Sequence, residues 1–129
     1  MRKLLAAAGL IAAAQVLLAD GAGAGPWEDG MAAYDRGDYV PAMQLVRPLA
    51  QAGNAKAQAL LGVMYRRGQG VTRNSARAFM WLGLAADRGD RKAKSDFQSV
   101  ARSMTPDELS QARAMMQICA ASDNRNCQY

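Results

Sequence analysis

The sequence contains no histidine among its 129 residues. Histidine is the side chain that titrates near neutral pH, and it is the commonest metal ligand in proteins. Its absence therefore counts against acid-base catalysis and against a metal centre. We predict no catalytic residue, no cofactor and no metal site.

Only one long apolar run is present, and it lies at the N-terminus. Residues 2–3 are basic, residues 4–19 are almost entirely apolar, and residues 22–24 are small. This layout predicts a signal peptide over residues 1–24 that is cleaved after Ala24. The protein is then exported, and we expect it in the periplasm or secreted.

Two alternatives concern this segment. Cleavage after Ala19 is the weaker option for the peptidase. An uncleaved membrane anchor is the other, but the run of residues 4–19 falls short of the ~20 apolar residues that span a bilayer. We therefore expect no stable membrane anchor after cleavage. The remaining residues, from 25 onward, are about enough for one domain.

Cysteine is scarce, and its position is informative. Cys119 and Cys127 are the only two cysteines, and both lie in the last eleven residues. In an exported chain they are expected to form a disulfide, because secretory compartments are oxidising. The alternative is that Cys119 packs in the core and Cys127 stays a free thiol in the polar tail.

Alternating strand patterns are missing after residue 25, and the sequence predicts an all-α fold. Polar residues suited to cap helix starts follow or lie near turn residues: Asp38, Asn54, Asn74, Asp90 and Thr105. The predicted helices cover residues 27–36, 39–52, 55–67, 75–88, 91–103 and 106–121. The last start is the clearest, because Thr105, Pro106 and Glu108 combine a cap, a first-turn proline and a capping-box glutamate.

A repeat of 36 residues runs through these helices, since Gly53-Asn54 recurs as Gly89-Asp90. Three alanines recur at the same spacing: Ala42, Ala50 and Ala57 return as Ala78, Ala86 and Ala93. Helix pairs in such repeats bury their apolar sides only by stacking on one another. We expect Tyr65 and Trp81 to lie in the shared core rather than to contact a ligand.

Small and aromatic residues stand in a characteristic register in the second unit: Ala57, Leu61, Gly62, Tyr65, Gly68, Gly70, Val71, Asn74, Ala78, Trp81, Ala85, Ala86 and Gly89. This pattern resembles the Sel1-like repeat, a relative of the tetratricopeptide repeat with a longer inter-helix loop. Residues 57–93 resemble a full repeat, and residues 29–57 a degenerate first repeat that lacks the Gly-x-Gly-Val loop. Residues 91–121 stand in the place of a capping helix pair.

The resemblance implies a right-handed α-solenoid of antiparallel helix pairs over residues 25–121, followed by a tail at residues 122–129. Leu82 stands where the family commonly has an aromatic residue. Gly83 lies in the middle of a helix, where glycine costs about 1 kcal/mol against alanine. For function, the resemblance implies a groove that binds proteins, and it identifies no partner.

Cysteine-rich relatives in this family have a cysteine spacing similar to that of Cys119 and Cys127, which also favours a disulfide. Those relatives are associated with penicillin binding and β-lactam hydrolysis, so an enzyme is the main alternative. The sequence contains no Ser-x-x-Lys and no Lys-Thr-Gly segment, and without them the usual activated serine has no visible partner. We therefore predict that the protein is not an enzyme.

Positive charge is concentrated between residues 61 and 102, which hold nine basic and three acidic side chains. Such a surface could attract an acidic protein, an anionic lipid or an envelope polymer. The candidate partner-binding residues are Arg66, Arg67, Arg73 and Arg77. An ordinary solvated basic face is the alternative, and we favour it on general grounds because Lys and Arg are normally exposed. Nucleic acid is not expected, since the chain lacks an aromatic stacking platform.

Together these observations predict an exported protein-interaction module of the bacterial cell envelope, whose partner is another protein of unknown identity. A penicillin-recognising or cell-wall hydrolytic enzyme is the alternative. A secreted effector that acts in a host is a third function that the sequence leaves open.

Overall fold

The computed structural model describes residues 25–125 and 127. Within them it contains six helices and no strand: α1 Pro26–Asp35, α2 Tyr39–Gln51, α3 Ala55–Arg67, α4 Ser75–Asp87, α5 Arg91–Arg102 and α6 Pro106–Ala121. The predicted all-α fold of six helices is confirmed, and each observed boundary lies within one residue of the predicted one. The predicted signal peptide, residues 1–24, lies outside the described residues.

Four of the five predicted caps form the expected hydrogen bond. The side chains of Asn54, Asn74 and Asp90 each accept from the backbone amide three residues later, at 2.8–3.0 Å. Thr105 completes a capping box, because the Glu108 amide donates to its hydroxyl while the Glu108 carboxylate accepts from the Thr105 amide. These bonds satisfy amides that the first turn of a helix leaves free.

Asp38 is the exception, and the prediction of a side-chain cap there is wrong. It occupies the N-cap position of α2, but its side chain makes no cap hydrogen bond. Its backbone ψ of 71° departs from the extended values of the other caps. The carboxylate instead accepts from Arg36 Nε at 3.2 Å.

The core is centred on α4. Consecutive helices pack from α1 through α5, and α4 also packs against α6, whereas α5 and α6 contact each other little. Because α3, α5 and α6 all cover it, α4 is buried without interruption from Ala78 to Ala85. A helix that is apolar on every side is expected in such a central position.

Glycines allow α4 to approach its neighbours closely. A β-carbon on Gly62 of α3 would lie 2.6 Å from Leu82 Cγ, so Leu82 fills the space that a larger residue at position 62 would need. A β-carbon on Gly83 would lie 2.6 Å from Met116 Sδ and 2.9 Å from Phe97 Cε2. Gly83 lies in the middle of α4, as predicted, and it is also a packing residue.

The loop between α3 and α4 packs against the start of α2. Gly70 has a φ of +72°, and a β-carbon there would lie 2.8 Å from the backbone carbonyl of Tyr39. Glycine is required at this position by both the left-handed backbone and the close approach. The Asn74 amide closes the loop by donating to the Tyr65 carbonyl at 2.9 Å.

Cys119 and Cys127 form a disulfide, as predicted. Both cysteines are buried, at 0% and 1% exposure. The bond joins the end of α6 to the tail and returns the tail to the core cluster. The right-handed superhelix and the antiparallel pairing of the helices stay predictions.

Candidate functional site

A groove of about 490 Å³ runs across α1, α3 and α5. Apolar side chains form most of its surface: Trp27, Met31 and Tyr34 from α1, Ala59, Leu60 and Val63 from α3, and Ala93 from α5. The even-numbered helices do not line it. The groove is therefore a surface shared by three helices that are distant in the sequence.

The groove exists because α3 carries more apolar side chains than its packing against the core buries. Leu61 and Tyr65 are buried in the core, whereas Leu60 and Val63 are only half-buried and line the groove. Half-buried apolar side chains that converge from separate helices are typical of a binding surface. This groove can accept apolar side chains of a ligand.

The α1 wall of the groove is held in place by contacts to the rest of the fold. The Tyr34 hydroxyl donates to Gln69 Oε1 at 2.8 Å, which links α1 to the loop after α3. The Tyr34 ring lies 5.3 Å from that of Tyr39, centroid to centroid. These two contacts tie the end of α1 to the loop after α3 and to α2.

Charged side chains of both signs border the groove, and only some of them form ion pairs. The carboxylate of Asp90 caps α5, and that of Asp96 forms ion pairs with Lys92 at 3.1 Å and with Arg66 at 3.5 Å. The basic side chains Lys56 and Arg67 form no ion pair within the described part of the chain. Within the described residues, the groove therefore offers an apolar floor beside the cations Lys56 and Arg67, which form no ion pair; the carboxylate of Asp90, also in the lining, forms none either.

The four predicted partner-binding arginines divide between two places. Arg67 is exposed and lines the groove. Arg66 turns toward α5, where it pairs with Asp96 and donates to Ser99 Oγ at 3.1 Å. Arg66 therefore has a structural role in joining α3 to α5, in addition to any role in binding.

Arg73 lies beside Gly68 in the loop after α3, and Arg77 lies beside Tyr65. Arg73 is an exposed loop residue that directly precedes Asn74. The guanidinium carbon of Arg77 lies 5.6 Å from the centroid of the Tyr65 ring, within the range of a cation–π contact. Arg77 therefore has a structural reason for its position.

The repeat-core residues have two kinds of position. Leu61, Gly62, Tyr65, Ala78, Trp81 and Ala85 are buried, with Tyr65 and Trp81 at 4% and 3% exposure. Ala86 is only half-buried, and Gly68, Gly70 and Gly89 are exposed turn glycines. The buried set packs the helices, and the exposed glycines shape the connections between them.

Sequence reasoning missed the groove residues Trp27, Met31 and Leu60 and the arginine Arg47. Arg47 of α2 donates from Nη2 to the Tyr65 hydroxyl at 3.3 Å. A signal for Arg47 was available, since residues 39–86 contain no aspartate or glutamate. No comparable signal marks the groove, because its residues are brought together only by folding.

Among residues 25–125 and 127, no group of three or more acidic, histidine or cysteine side chains is placed to hold a metal ion. None of the helices described here has the length and apolar character needed to cross a membrane.

Comparison with known families agrees with the sequence pattern. Residues 55–90 match the family model described as the Sel1 repeat. This segment comprises α3, the glycine-containing loop and α4, which together form the centre of the fold. No curated protein shows a significant sequence match to the chain.

Proposed function

We propose that this chain, whose residues 55–90 match the Sel1 repeat, is an exported interaction module of the bacterial cell envelope that holds a partner protein in the groove of α1, α3 and α5. A Sel1 repeat suggests a protein-interaction module, and this supports the class of function. The partner, the compartment and the use of the groove are parts of the proposal.

The groove is the observation that carries this proposal. It combines half-buried apolar side chains such as Leu60 and Val63 with the cations Lys56 and Arg67, which have no ion-pair partner in the described residues. Apolar side chains of a partner segment would cover Leu60 and Val63, and its acidic side chains would neutralise Lys56 and Arg67. Apolar side chains would supply most of the affinity, and the charges would favour an acidic partner.

Two features support export. The N-terminal sequence has the layout of a signal peptide. The Cys119–Cys127 disulfide is compatible with an oxidising compartment, because disulfides persist in secreted and periplasmic proteins. We propose a periplasmic or secreted location after cleavage near Ala24.

Site-specific photo-cross-linking in intact cells tests the use of the groove. A photoreactive phenylalanine analogue replaces Met31 or Lys56 in the groove, and Gln111, which is exposed on α6, serves as the matched control. We expect the two groove positions to give the same cross-linked protein, identified by mass spectrometry, and position 111 not to give it. Equal cross-linking from position 111 would contradict the use of the groove.

The enzyme alternative has its own test. The purified protein is incubated with a fluorescent penicillin and, separately, with nitrocefin. We expect neither covalent labelling nor turnover above that of the heat-denatured protein. Labelling or turnover that a single side-chain substitution abolishes would replace the interaction module with an enzyme.

A further inference from the structure

The middle of the chain has an unusual charge distribution. Residues 39–86 hold six arginines and lysines and no aspartate or glutamate. This stretch spans α2, α3 and almost all of α4. A basic side chain that points away from α1 and α5 therefore has few carboxylates within reach.

Two arginines from different helices meet at Tyr65. Arg47 of α2 donates to the Tyr65 hydroxyl at 3.3 Å, and Arg77 of α4 lies over the ring at 5.6 Å from its centroid. Tyr65 is itself only 4% exposed, so its position is fixed by the core. The hydroxyl accepts from Arg47 and retains its own hydrogen to donate.

Neither arginine is neutralised within the described residues. The ion pairs found there involve Arg36, Arg66, Lys92 and Arg125, and none involves Arg47 or Arg77. Both side chains are half-buried, so part of their hydration is lost. A partly desolvated guanidinium gains from a carboxylate or a similar anion, to which it can donate two parallel hydrogen bonds.

Arg66 is a comparable arginine that does have an anionic partner. It is also half-buried on the same helix bundle, but its guanidinium reaches Asp96 at 3.5 Å and Ser99 at 3.1 Å. Within residues 25–125 and 127, Arg47 and Arg77 have Tyr65 as their polar or ring partner and no carboxylate. These two arginines therefore differ from Arg66 in lacking an anion.

A depression of about 290 Å³ adjoins Arg47. It lies between α2 and the loop after α3, and Val40, Met43 and Val71 contribute apolar surface to it. Val40 is 56% exposed, which is unusual for a large apolar side chain here. An apolar side chain of a ligand would fit beside the anion that the arginines bind.

We infer that Arg47, Tyr65 and Arg77 form a second binding site that takes a carboxylate of an acidic segment of the partner protein. This inference deepens the proposed function and depends on it for the class of partner. The two arginines supply the positive charge, and the Tyr65 hydroxyl supplies a neutral donor beside Arg47. Tyr65 packs in the core while Leu60 and Val63 face the groove, so the two sites use different faces of α3.

Fluorescence anisotropy with a labelled peptide of eight glutamates tests the site directly, with a peptide of eight glutamines as the uncharged control. Arg47→Gln and Arg77→Gln should each weaken octaglutamate binding by about tenfold, which corresponds to about 1.4 kcal/mol. Arg113→Gln, on α6, changes the net charge equally and should change binding less than about twofold, well under that tenfold step. Arg47→Lys should retain more affinity than Arg47→Gln, because it keeps the charge. Thermal unfolding of each variant establishes that it is folded.

Three outcomes would overturn the inference. Octaglutamine binding as well as octaglutamate would exclude recognition of a carboxylate. A loss of octaglutamate affinity in Arg113→Gln equal to that in Arg77→Gln would show that binding responds to net charge alone. Binding to phosphatidylglycerol vesicles, lost on Arg47→Gln, with no octaglutamate binding would assign the site to a membrane surface.

The test separates this inference from the proposed use of the groove. It uses purified protein and a defined peptide, so it does not require the partner to be known. Octaglutamate binding that depends on Arg47 and Arg77 would stand even if the groove positions gave no cross-link in cells. Groove cross-linking without octaglutamate binding would support the groove and reject the second site.

Discussion

Leu82 of α4 lies directly over Gly62 of α3, and a β-carbon at position 62 would come within 2.6 Å of Leu82 Cγ. It would also lie 3.1 Å from the Leu82 backbone nitrogen, which cannot move without shifting α4. The two residues therefore set the distance between the central helices of the Sel1 repeat.

Gly62→Ala should destabilise the protein by about 1–3 kcal/mol, because overpacking a tight helix contact outweighs the gain in helix propensity. Urea denaturation followed by circular dichroism measures the change. In a Leu82→Ala background the same substitution should cost less, since the contacts to Leu82 Cγ and Cδ2 are gone while the 3.1 Å contact to the backbone nitrogen remains. Equal effects in both backgrounds would show that the contact does not limit the approach of the helices.

Trp81→Ala should cost about 3–5 kcal/mol, because it removes a large side chain that is 3% exposed. This is a large share of the stability of a small domain. The midpoint of urea denaturation measures it. A midpoint close to that of the wild type would show that Trp81 is not a packing residue.

Removing the disulfide with Cys119→Ala and Cys127→Ala together should lower stability by roughly 2–3 kcal/mol, as expected for closing a short loop. Differential scanning calorimetry measures the loss. Dithiothreitol should lower the melting temperature of the wild type and leave that of the double variant unchanged. A wild-type melting temperature that does not respond to the reductant would contradict a stabilising disulfide.

Arg73 and Arg77 should respond differently to charge reversal. Arg73→Glu alters an exposed loop residue and should leave the melting temperature nearly unchanged. Arg77→Glu removes the cation from the Tyr65 ring and should cost at least the ~0.5–1 kcal/mol of such a contact. Both reversals should weaken capture of an acidic partner. Added salt should weaken capture by the wild type as well, because exposed charges are screened over about 10 Å at 0.1 M salt. Capture that neither reversal nor salt reduces would leave an ordinary solvated basic face.

The helices could be predicted from the sequence because their limits depend on neighbouring residues. Asn54, Asn74 and Asp90 each cap a helix through an amide only three residues away. Asp38 also directly precedes a helix. Its backbone ψ differs, however, and its carboxylate accepts a hydrogen bond from Arg36 instead of capping the helix. Local sequence therefore fixes where a cap can form, and local geometry decides whether it does.

The candidate sites could not be predicted in the same way. The groove brings Trp27, Leu60 and Asp96 to one surface, and the second site brings Arg47 and Arg77 to one tyrosine. These residues share no sequence spacing, because their proximity comes from the stacking of helices. The clustering of positive charge was visible in the sequence, but its division between Arg67 at the groove and Arg77 at Tyr65 required the fold.

Isothermal titration calorimetry with the partner identified by cross-linking tests the central claim most directly. Leu60→Asp places a charge on the groove floor, and Ile118→Asp makes the same kind of change at a 52% exposed residue on α6, away from the groove. We expect Leu60→Asp to weaken binding by at least about tenfold, or about 1.4 kcal/mol. Ile118→Asp should leave the Kd nearly unchanged. Circular dichroism should show that both variants are folded. Unchanged binding by Leu60→Asp, or an equal loss with Ile118→Asp, would contradict the assignment of the groove as the partner-binding surface.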